Sequence, residues 1–260
     1  MMSPPLTLAE QDALATRTLA QLTYTPHRVS GRTCEICTEP VYSGDSKCHV
    51  CRDRLAGWGA ENLADFVVPL TYASDTETPQ IRRSLAVYKD GWDEEERNRA
   101  FAPLTYLLWQ FIYRHGQCVE SVLGGSVGGY VMVPSGSVAG RLGGHPMEGF
   151  EKYLPWERVH VRRTFDSTSR SMRPDTLEFL DPTQVAGCRF VVFDDTWTTG
   201  AAAQSVASAL KSHGAQAVAI VVLGRWVNSS WSPVASFFTS NPRSSRHSNS
   251  CPVTGGTCPP

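Results

Sequence analysis

The chain has 260 residues, of which 41% are hydrophobic and 19% are charged, and its formal net charge is −1. This composition can bury a core, which excludes wholesale disorder, and the length allows one to two domains. The near-neutral charge argues against a protein that coats nucleic acid or anionic membrane through bulk electrostatics.

Membrane insertion and secretion are not expected. No apolar run approaches the roughly 18 residues that are needed to span a bilayer. The N-terminal stretch lacks the basic n-region of a secretory signal and carries Glu10 and Asp12. We therefore expect a cytoplasmic protein with no membrane partner.

The first third of the chain combines a helix with a cysteine-rich stretch. The spacing of apolar residues predicts an amphipathic helix over 6–22. Four cysteines follow as two CxxC pairs separated by ten residues: Cys34, Cys37, Cys48 and Cys51. Two such pairs can wrap one tetrahedral Zn²⁺, and a four-sulfur shell has no open position, so the zinc would be structural. The alternative is two disulfides or redox-active pairs.

Nucleic-acid binding by this cysteine ribbon has only weak support. Residues 27–54 carry five basic and four acidic side chains, a net charge of +1. This excess is too small to indicate binding by electrostatics alone.

The rest of the chain up to residue 227 has the pattern of an α/β domain. Strands are predicted over 64–72 and 130–133, and helices over 80–88 and 93–115, the second ending at Gly116. Lys89 is interpreted as a solvated charge at a helix end and only weakly as a catalytic base. Two continuous apolar runs, 189–195 and 217–223, flank a helix over 200–213. This strand–helix–strand unit predicts a parallel sheet.

The most informative segment is 191–201, where the first of these buried strands ends in two carboxylates. A short loop with Thr198, Thr199 and Gly200 follows, and a helix then begins. A helix start offers unpaired N–H groups to a phosphate, and two carboxylates suit vicinal hydroxyls. The segment therefore predicts a cradle for a 5-phosphoribosyl group. The alternative is that Asp194 and Asp195 only cap the helix.

This segment resembles the phosphoribosyl-pyrophosphate signature of type I phosphoribosyltransferases. Together with the cysteine ribbon, the chain is similar to the ComF group of that superfamily, over roughly residues 30–225. The stretches 81–89, 131–134 and 187–190 agree with this resemblance. It implies a parallel-sheet type I phosphoribosyltransferase fold with a small N-terminal zinc ribbon.

The resemblance also implies roles for individual residues. Asp194 and Asp195 would be the catalytic pair on the ribose hydroxyls. The residues implied to hold the 5′-phosphate are Thr196, Trp197, Thr198, Thr199 and Gly200. Those implied to contact pyrophosphate are Ser135, Gly136, Arg141 and Arg163, the last of them in a mobile hood within 162–175.

The implied reaction transfers phosphoribose from phosphoribosyl pyrophosphate, bound with Mg²⁺, to a nitrogen acceptor with loss of pyrophosphate. The alternative is a non-catalytic protein that binds this compound or a nucleotide, or that acts in DNA uptake as the ComF name suggests. Homodimers are common in the superfamily, so a homodimer is one expectation.

Four regions are predicted: an N-terminal helix (1–26), the zinc ribbon (27–60), the phosphoribosyltransferase-like domain (61–227) and a flexible Ser/Pro-rich tail (228–260). Cys251 and Cys258 in the tail could form a second metal clip or a disulfide, or could be free thiols. Cys118 and Cys188 are interpreted as ordinary, partly buried residues.

Overall fold

The computed structural model describes residues 6–90, 92–134, 146–164, 171–241 and 251–259. Within these ranges the α-helices are α1 (Leu8–Ala20), α2 (His49–Trp58), α3 (Pro79–Asp90), α4 (Glu94–Leu123), α5 (Ala201–Ser212) and α6 (Ser232–Ser240). The strands are β1 (Phe66–Ala73), β2 (Gly129–Met132), β3 (Val161–Arg163), β4 (Leu177–Phe179), β5 (Arg189–Trp197) and β6 (Ala217–Trp226).

The central sheet has four strands in the order β1-β6-β5-β2, and every neighbouring pair is parallel. The short strands β3 and β4 pair antiparallel as a separate two-stranded sheet. The predicted α/β architecture with a parallel sheet is thus confirmed. Because all strands of the central sheet run in one direction, their carboxyl ends meet at one edge, where ligands bind in such sheets.

Both faces of the central sheet are covered, which explains why its strands are continuously apolar. Val191 and Phe193 of β5 pack in one core with residues of α1, α3 and α4. Phe190 and Val192 point to the opposite face, where they pack with α5 and with the cysteine ribbon. The ribbon is therefore fixed against the same sheet that carries the acidic pair.

Several element boundaries differ from the sequence prediction, most of all the C-terminal ends of α4, β5 and β6, the last of which continues to Trp226. Helix α4 continues through Gly116 to Leu123 and ends at Gly124, whose φ of 78° gives a left-handed cap. Val119 and Leu123 are buried, and their packing extends the helix beyond the predicted stop. Strand β5 continues to Trp197 because Thr196 and Trp197 still pair with β6.

Part of the predicted flexible tail is helical. In α6, Val234, Phe237 and Phe238 are buried. The ring of Phe238 lies 5.1 Å from that of Tyr24 and 5.5 Å from that of Tyr72. The serine-rich composition concealed these three apolar residues, whose burial orders the segment.

Strand β3 overlaps a strand expected over 159–162, and its partner β4 lies in the polar stretch 163–182, which the sequence predicted to be mobile in part. Leu177 and Phe179 are buried in the core that contains α5. Among the described residues, no helix is long and apolar enough to cross a membrane.

Candidate functional site

The four cysteines of the ribbon come together in a closed cluster. The Sγ atoms of Cys34, Cys37, Cys48 and Cys51 all lie within 4.8 Å of one another, and all four residues are buried. Cys37 Sγ and Cys48 Sγ are 3.8 Å apart, close to the edge of about 3.8 Å that four Zn–S bonds of about 2.3 Å give in a tetrahedron.

Local backbone geometry explains how the two pairs converge. Cys34 donates its N–H to the carbonyl of Glu39 at 2.7 Å, and its carbonyl accepts the N–H of Thr38 at 2.9 Å. This tight turn directs the first two sulfurs inward. Cys48 occupies the N-cap position of α2, which places Cys51 one turn further along the same helix.

Three arginines surround the sulfur cluster. Burial lowers the pKa of Arg28, Arg54 and Arg225, and nearby cysteines act in the opposite direction on each. Arg54 Nη1 and Arg225 Nε are buried with no hydrogen-bond partner in the described part of the chain. Such cations suit the net negative charge of four thiolates on one divalent metal. The cluster could therefore hold a metal such as zinc.

The acidic pair lies within the carboxyl-terminal part of β5. Asp195 is only 4% exposed. Its carboxylate accepts a hydrogen bond from Tyr88 Oη at 2.9 Å and forms an ion pair with Lys89 Nζ. Its backbone N–H donates to Asp194 Oδ1 at 2.9 Å. One carboxylate of the pair is thus held by the end of α3.

The other carboxyl group of the pair, that of Asp194, has a raised pKa. Burial and the neighbouring carboxylate of Asp195 raise the pKa of Asp194 to about 8, against the opposing charge of Lys89. Two carboxyl groups this close resist carrying two negative charges. Asp194 therefore keeps its proton to a higher pH than an ordinary aspartic acid, beside the ion pair between Asp195 and Lys89.

The Thr-Thr-Gly loop is shorter than the sequence predicted. Thr196 and Trp197 belong to β5, and the Trp197 side chain is 1% exposed and buried in the core. The side chain of Trp197 is thus packed beneath the loop. Thr198 is exposed and Thr199 is partly exposed.

Gly200 is required by the geometry of this loop. Its φ is 75°, and a Cβ at this position would lie 2.1 Å from Cζ2 of Trp197. Helix α5 starts at the next residue, where Gly200 at the N-cap position offers no side chain and Thr199 Oγ1 accepts the N–H of Ala201 at 3.4 Å. A helix start of this kind, next to two threonine hydroxyls, suits an anion.

Arg225 holds the loop from the side of β6. Its Nη1 donates to the carbonyl of Trp197 at 2.9 Å and to that of Thr198 at 2.7 Å. The same guanidinium forms an ion pair with Glu39 in the cysteine ribbon. The ribbon and the loop are therefore linked through one buried side chain.

Of the residues that were predicted to contact pyrophosphate, only Arg163 belongs to the described part of the chain. Ser135, Gly136 and Arg141 lie outside the described residues. Arg163 is on β3, where its Nη1 donates to Thr176 Oγ1 at 3.2 Å and burial lowers its pKa. The hairpin contacts the first turns of α5, since Arg173 N donates to Ser205 Oγ at 2.8 Å.

Several residues at the site were not indicated by the sequence. Lys89 is paired with Asp195 and is not a solvated helix-end charge. Tyr88 and Glu39 had no sequence signal, because their partners lie far away in the chain. A recognisable cue was the buried strand β6, in which Arg225 interrupts an otherwise apolar run.

A second group with metal-binding geometry lies elsewhere. His115, Cys118, Cys251 and Cys258 have candidate ligand atoms within 4.8 Å of one another. They could also bind a metal such as zinc. Cys118, which the sequence analysis interpreted as an ordinary partly buried residue, is one of the four.

The sequence matches no protein-family model and no curated protein.

Proposed function

We propose that the chain binds phosphoribosyl pyrophosphate together with Mg²⁺ and transfers the phosphoribosyl group to a nitrogen acceptor, on a type I phosphoribosyltransferase fold. The observation that carries this proposal is the order of groups at the end of β5. Asp194 and Asp195 precede a Thr-Thr-Gly turn that leads directly into the start of α5, where the N-cap residue is a glycine without a capping side chain. The parallel sheet supports a ligand at this edge.

Charge at this edge also supports an anionic ligand. Lys89 offsets the carboxylate of Asp195, so the acidic pair repels a phosphate less than two free carboxylates would. A protonated Asp194 can donate to one ribose hydroxyl oxygen, while the carboxylate of Asp195 accepts from another. Thr198 and Thr199 would supply hydroxyl donors to the 5′-phosphate.

Magnesium is assigned to the substrate. Among the described residues, groups of three or more potential metal ligands occur only at the two cysteine-containing clusters. Mg²⁺ is commonly held by phosphate oxygens with few protein ligands. In the proposed reaction the nitrogen acceptor forms a bond to carbon 1 of the ribose as the bond to pyrophosphate breaks, and pyrophosphate leaves with the bonding electron pair.

The test of binding is titration calorimetry with phosphoribosyl pyrophosphate and Mg²⁺. We expect micromolar binding by the wild type, and at least about tenfold weaker binding by an Asp194→Asn/Asp195→Asn variant, which corresponds to about 1.4 kcal/mol. The control is Glu94→Gln/Glu95→Gln, which removes two exposed carboxylates from the first turn of α4. No heat in a folded wild type would overturn the proposal.

The test of transfer is pyrophosphate release with a panel of purine and pyrimidine bases. A base that stimulates release in the wild type, and not in the Asp194→Asn/Asp195→Asn variant, would identify the acceptor class. Binding without release for any base would favour a non-catalytic protein that senses this compound.

We also propose that the first cysteine cluster holds a structural zinc ion. The four buried sulfurs form a closed shell, and the buried Arg225 and the partly buried Arg28 and Arg54 offset its charge. A reducing compartment, such as the predicted cytoplasm, would keep the thiols available. Cys37→Ser should lower the zinc content by about one ion per chain, whereas Cys188→Ser, outside both clusters, should leave it unchanged.

A further inference from the structure

The C-terminal half of α4 and the last described segment of the chain share a cluster of ligand-type side chains. His115 and Cys118 come from α4, and Cys251 and Cys258 come from the segment 251–259. His115 Nδ1 lies 3.8 Å from Cys118 Sγ and 3.5 Å from Cys258 Sγ. The cluster is formed by the fold, since its halves are far apart in sequence.

The spacing of these atoms matches a tetrahedral metal shell. Zn–S bonds of about 2.3 Å and a Zn–N bond of about 2.0 Å give nitrogen–sulfur edges of about 3.5 Å and sulfur–sulfur edges of about 3.8 Å. The two nitrogen–sulfur distances observed are within about 0.3 Å of the expected edge. The three-residue spacing of His115 and Cys118 puts both on one face of α4.

The C-terminal segment folds into a turn that presents both of its cysteines. The N–H of Cys251 donates to the carbonyl of Gly256 at 2.7 Å, and the N–H of Gly255 donates to the carbonyl of Cys251 at 2.8 Å. Gly255 has a φ of 76°, which a residue with a Cβ rarely adopts. This turn returns the chain so that Cys258 reaches the same ligand group as Cys251.

We propose that His115, Cys118, Cys251 and Cys258 form a second zinc site, which fastens the C-terminal segment to α4. Three thiolates and one imidazole complete a tetrahedral shell and leave no open position, so the role is structural. The proposal is independent of the proposed phosphoribosyltransferase activity.

The residues around this cluster pack the C-terminal segment against the rest of the protein. Cys251 and Val253 are 1% and 2% exposed and belong to the core that contains α1 and α4. A Cβ at Gly255 would lie 3.6 Å from the side chain of Arg28, and Arg28 itself donates to backbone carbonyls in the cysteine ribbon and on β1. A metal here would hold the segment between α4 and the ribbon, where short apolar contacts alone would order it weakly.

The first experiment counts zinc in the full chain, purified without chelator. We expect about two zinc ions per chain in the wild type and about one in a Cys251→Ser/Cys258→Ser variant. His115→Gln should also lower the zinc content or raise the rate of zinc loss to a competing chelator. Cys188→Ser is the matched control, because Cys188 is a cysteine outside both clusters, and it should retain both ions.

The second experiment measures alkylation of Cys258, which is exposed. If zinc holds its thiolate, alkylation should be slow in the zinc-loaded wild type and at least about tenfold faster after chelation or in His115→Gln. This variant changes one ligand and leaves every cysteine in place, so it separates loss of the site from loss of a thiol.

Three results would overturn the proposal. One is a wild-type content of about one zinc ion per chain that Cys251→Ser/Cys258→Ser leaves unchanged. Another is alkylation of Cys258 at the rate of a free exposed thiol in the zinc-loaded protein. The third is a disulfide between Cys251 and Cys258, seen as a mass unchanged by alkylation until a reductant is added.

Discussion

Arg225 on β6 forms a buried ion pair with Glu39, which lies between the two CxxC pairs of the cysteine ribbon. The same guanidinium donates to the carbonyls of Trp197 and Thr198, at the beginning of the candidate phosphate loop. Arg225 is 3% exposed. The position of the loop therefore depends on the cysteine ribbon through one side chain.

Replacing Arg225 with lysine should destabilise the protein. A lysine ammonium cannot reproduce the planar fork that reaches both carbonyls and Glu39, so a buried carboxylate loses its partner. We expect a loss of about 3 kcal/mol in the free energy of unfolding, measured by urea denaturation. Weaker binding of phosphoribosyl pyrophosphate should accompany it.

The control for this change is Arg83→Lys. Arg83 pairs with Glu96 at 3.1 Å on the surface, and its side chain is 75% exposed. Arg83→Lys should lower the free energy of unfolding by less than about 1 kcal/mol. Equal losses in the free energy of unfolding of the two variants would show that the Arg225–Glu39 ion pair stabilises the protein no more than a surface ion pair does.

Gly200→Ala should strain the turn between β5 and α5. The residue has a φ of 75°, and a Cβ would collide with the indole of Trp197. Because Trp197 is buried beneath the loop, it has little room to move. We expect a destabilisation of about 1–3 kcal/mol, measured by thermal or urea unfolding.

Gly57→Ala is the matched control for this substitution. Gly57 lies inside α2, and a Cβ there would contact nothing within 4 Å. Alanine should stabilise that helix by about 0.5–1 kcal/mol. The prediction for Gly200 fails if both changes stabilise the protein.

The parallel sheet and the cysteine cluster were predictable because their signals are local. The run Val191–Phe193 is apolar on both faces, as a doubly covered strand requires. The CxxC spacing likewise brings sulfurs together within one short stretch. The predicted C-terminal end of β5, at residue 195, was wrong. Thr196 and Trp197 are part of the strand because they pair with β6, and no local sequence pattern indicates that pairing.

The remaining contacts join residues that are distant in the chain. Lys89 meets Asp195, and Cys118 meets Cys251, only after the sheet and helices have assembled. Composition was also misleading for the tail, in which Phe237 and Phe238 are buried despite the many serines around them. Pairings of this kind depend on tertiary packing and have no periodicity to detect.

Lys89→Met should lower the free energy of unfolding, because it removes the cationic partner of the buried Asp195 carboxylate. Without the ammonium, the carboxylate keeps the hydrogen bond from the hydroxyl of Tyr88 but loses its cationic partner. A double-mutant cycle with Asp195→Asn should give a coupling energy of about 1–3 kcal/mol. The measurement is the free energy of unfolding of the wild type, both single variants and the double variant.

An exposed pair supplies the comparison for this cycle. Glu95 and Arg99 are 3.8 Å apart on α4 with side chains 81% and 70% exposed, and their coupling should be about 0.3–0.5 kcal/mol. A coupling energy between Lys89 and Asp195 no larger than this would contradict the prediction that their ion pair stabilises the folded protein more than an exposed pair does.

The raised pKa of Asp194 predicts a specific dependence of stability on pH. Its pKa rises from an ordinary value of 3.8 to about 8 on folding. Between these values the folded chain holds a proton that the unfolded chain has released, so stability falls as pH rises. Below about pH 4 both states are protonated and the stabilising contribution is fully present; above about pH 8 it is lost.

The measurement is the free energy of unfolding of the wild type and of Asp194→Asn from pH 4 to 9. An asparagine stays uncharged, so the difference between the two proteins isolates the titration of Asp194 and its coupling to Asp195. The wild type should lose stability relative to the variant as pH rises to about 8 and then stay level. A difference that instead grows in favour of the wild type with rising pH would mean that Asp194 is ionised at neutral pH.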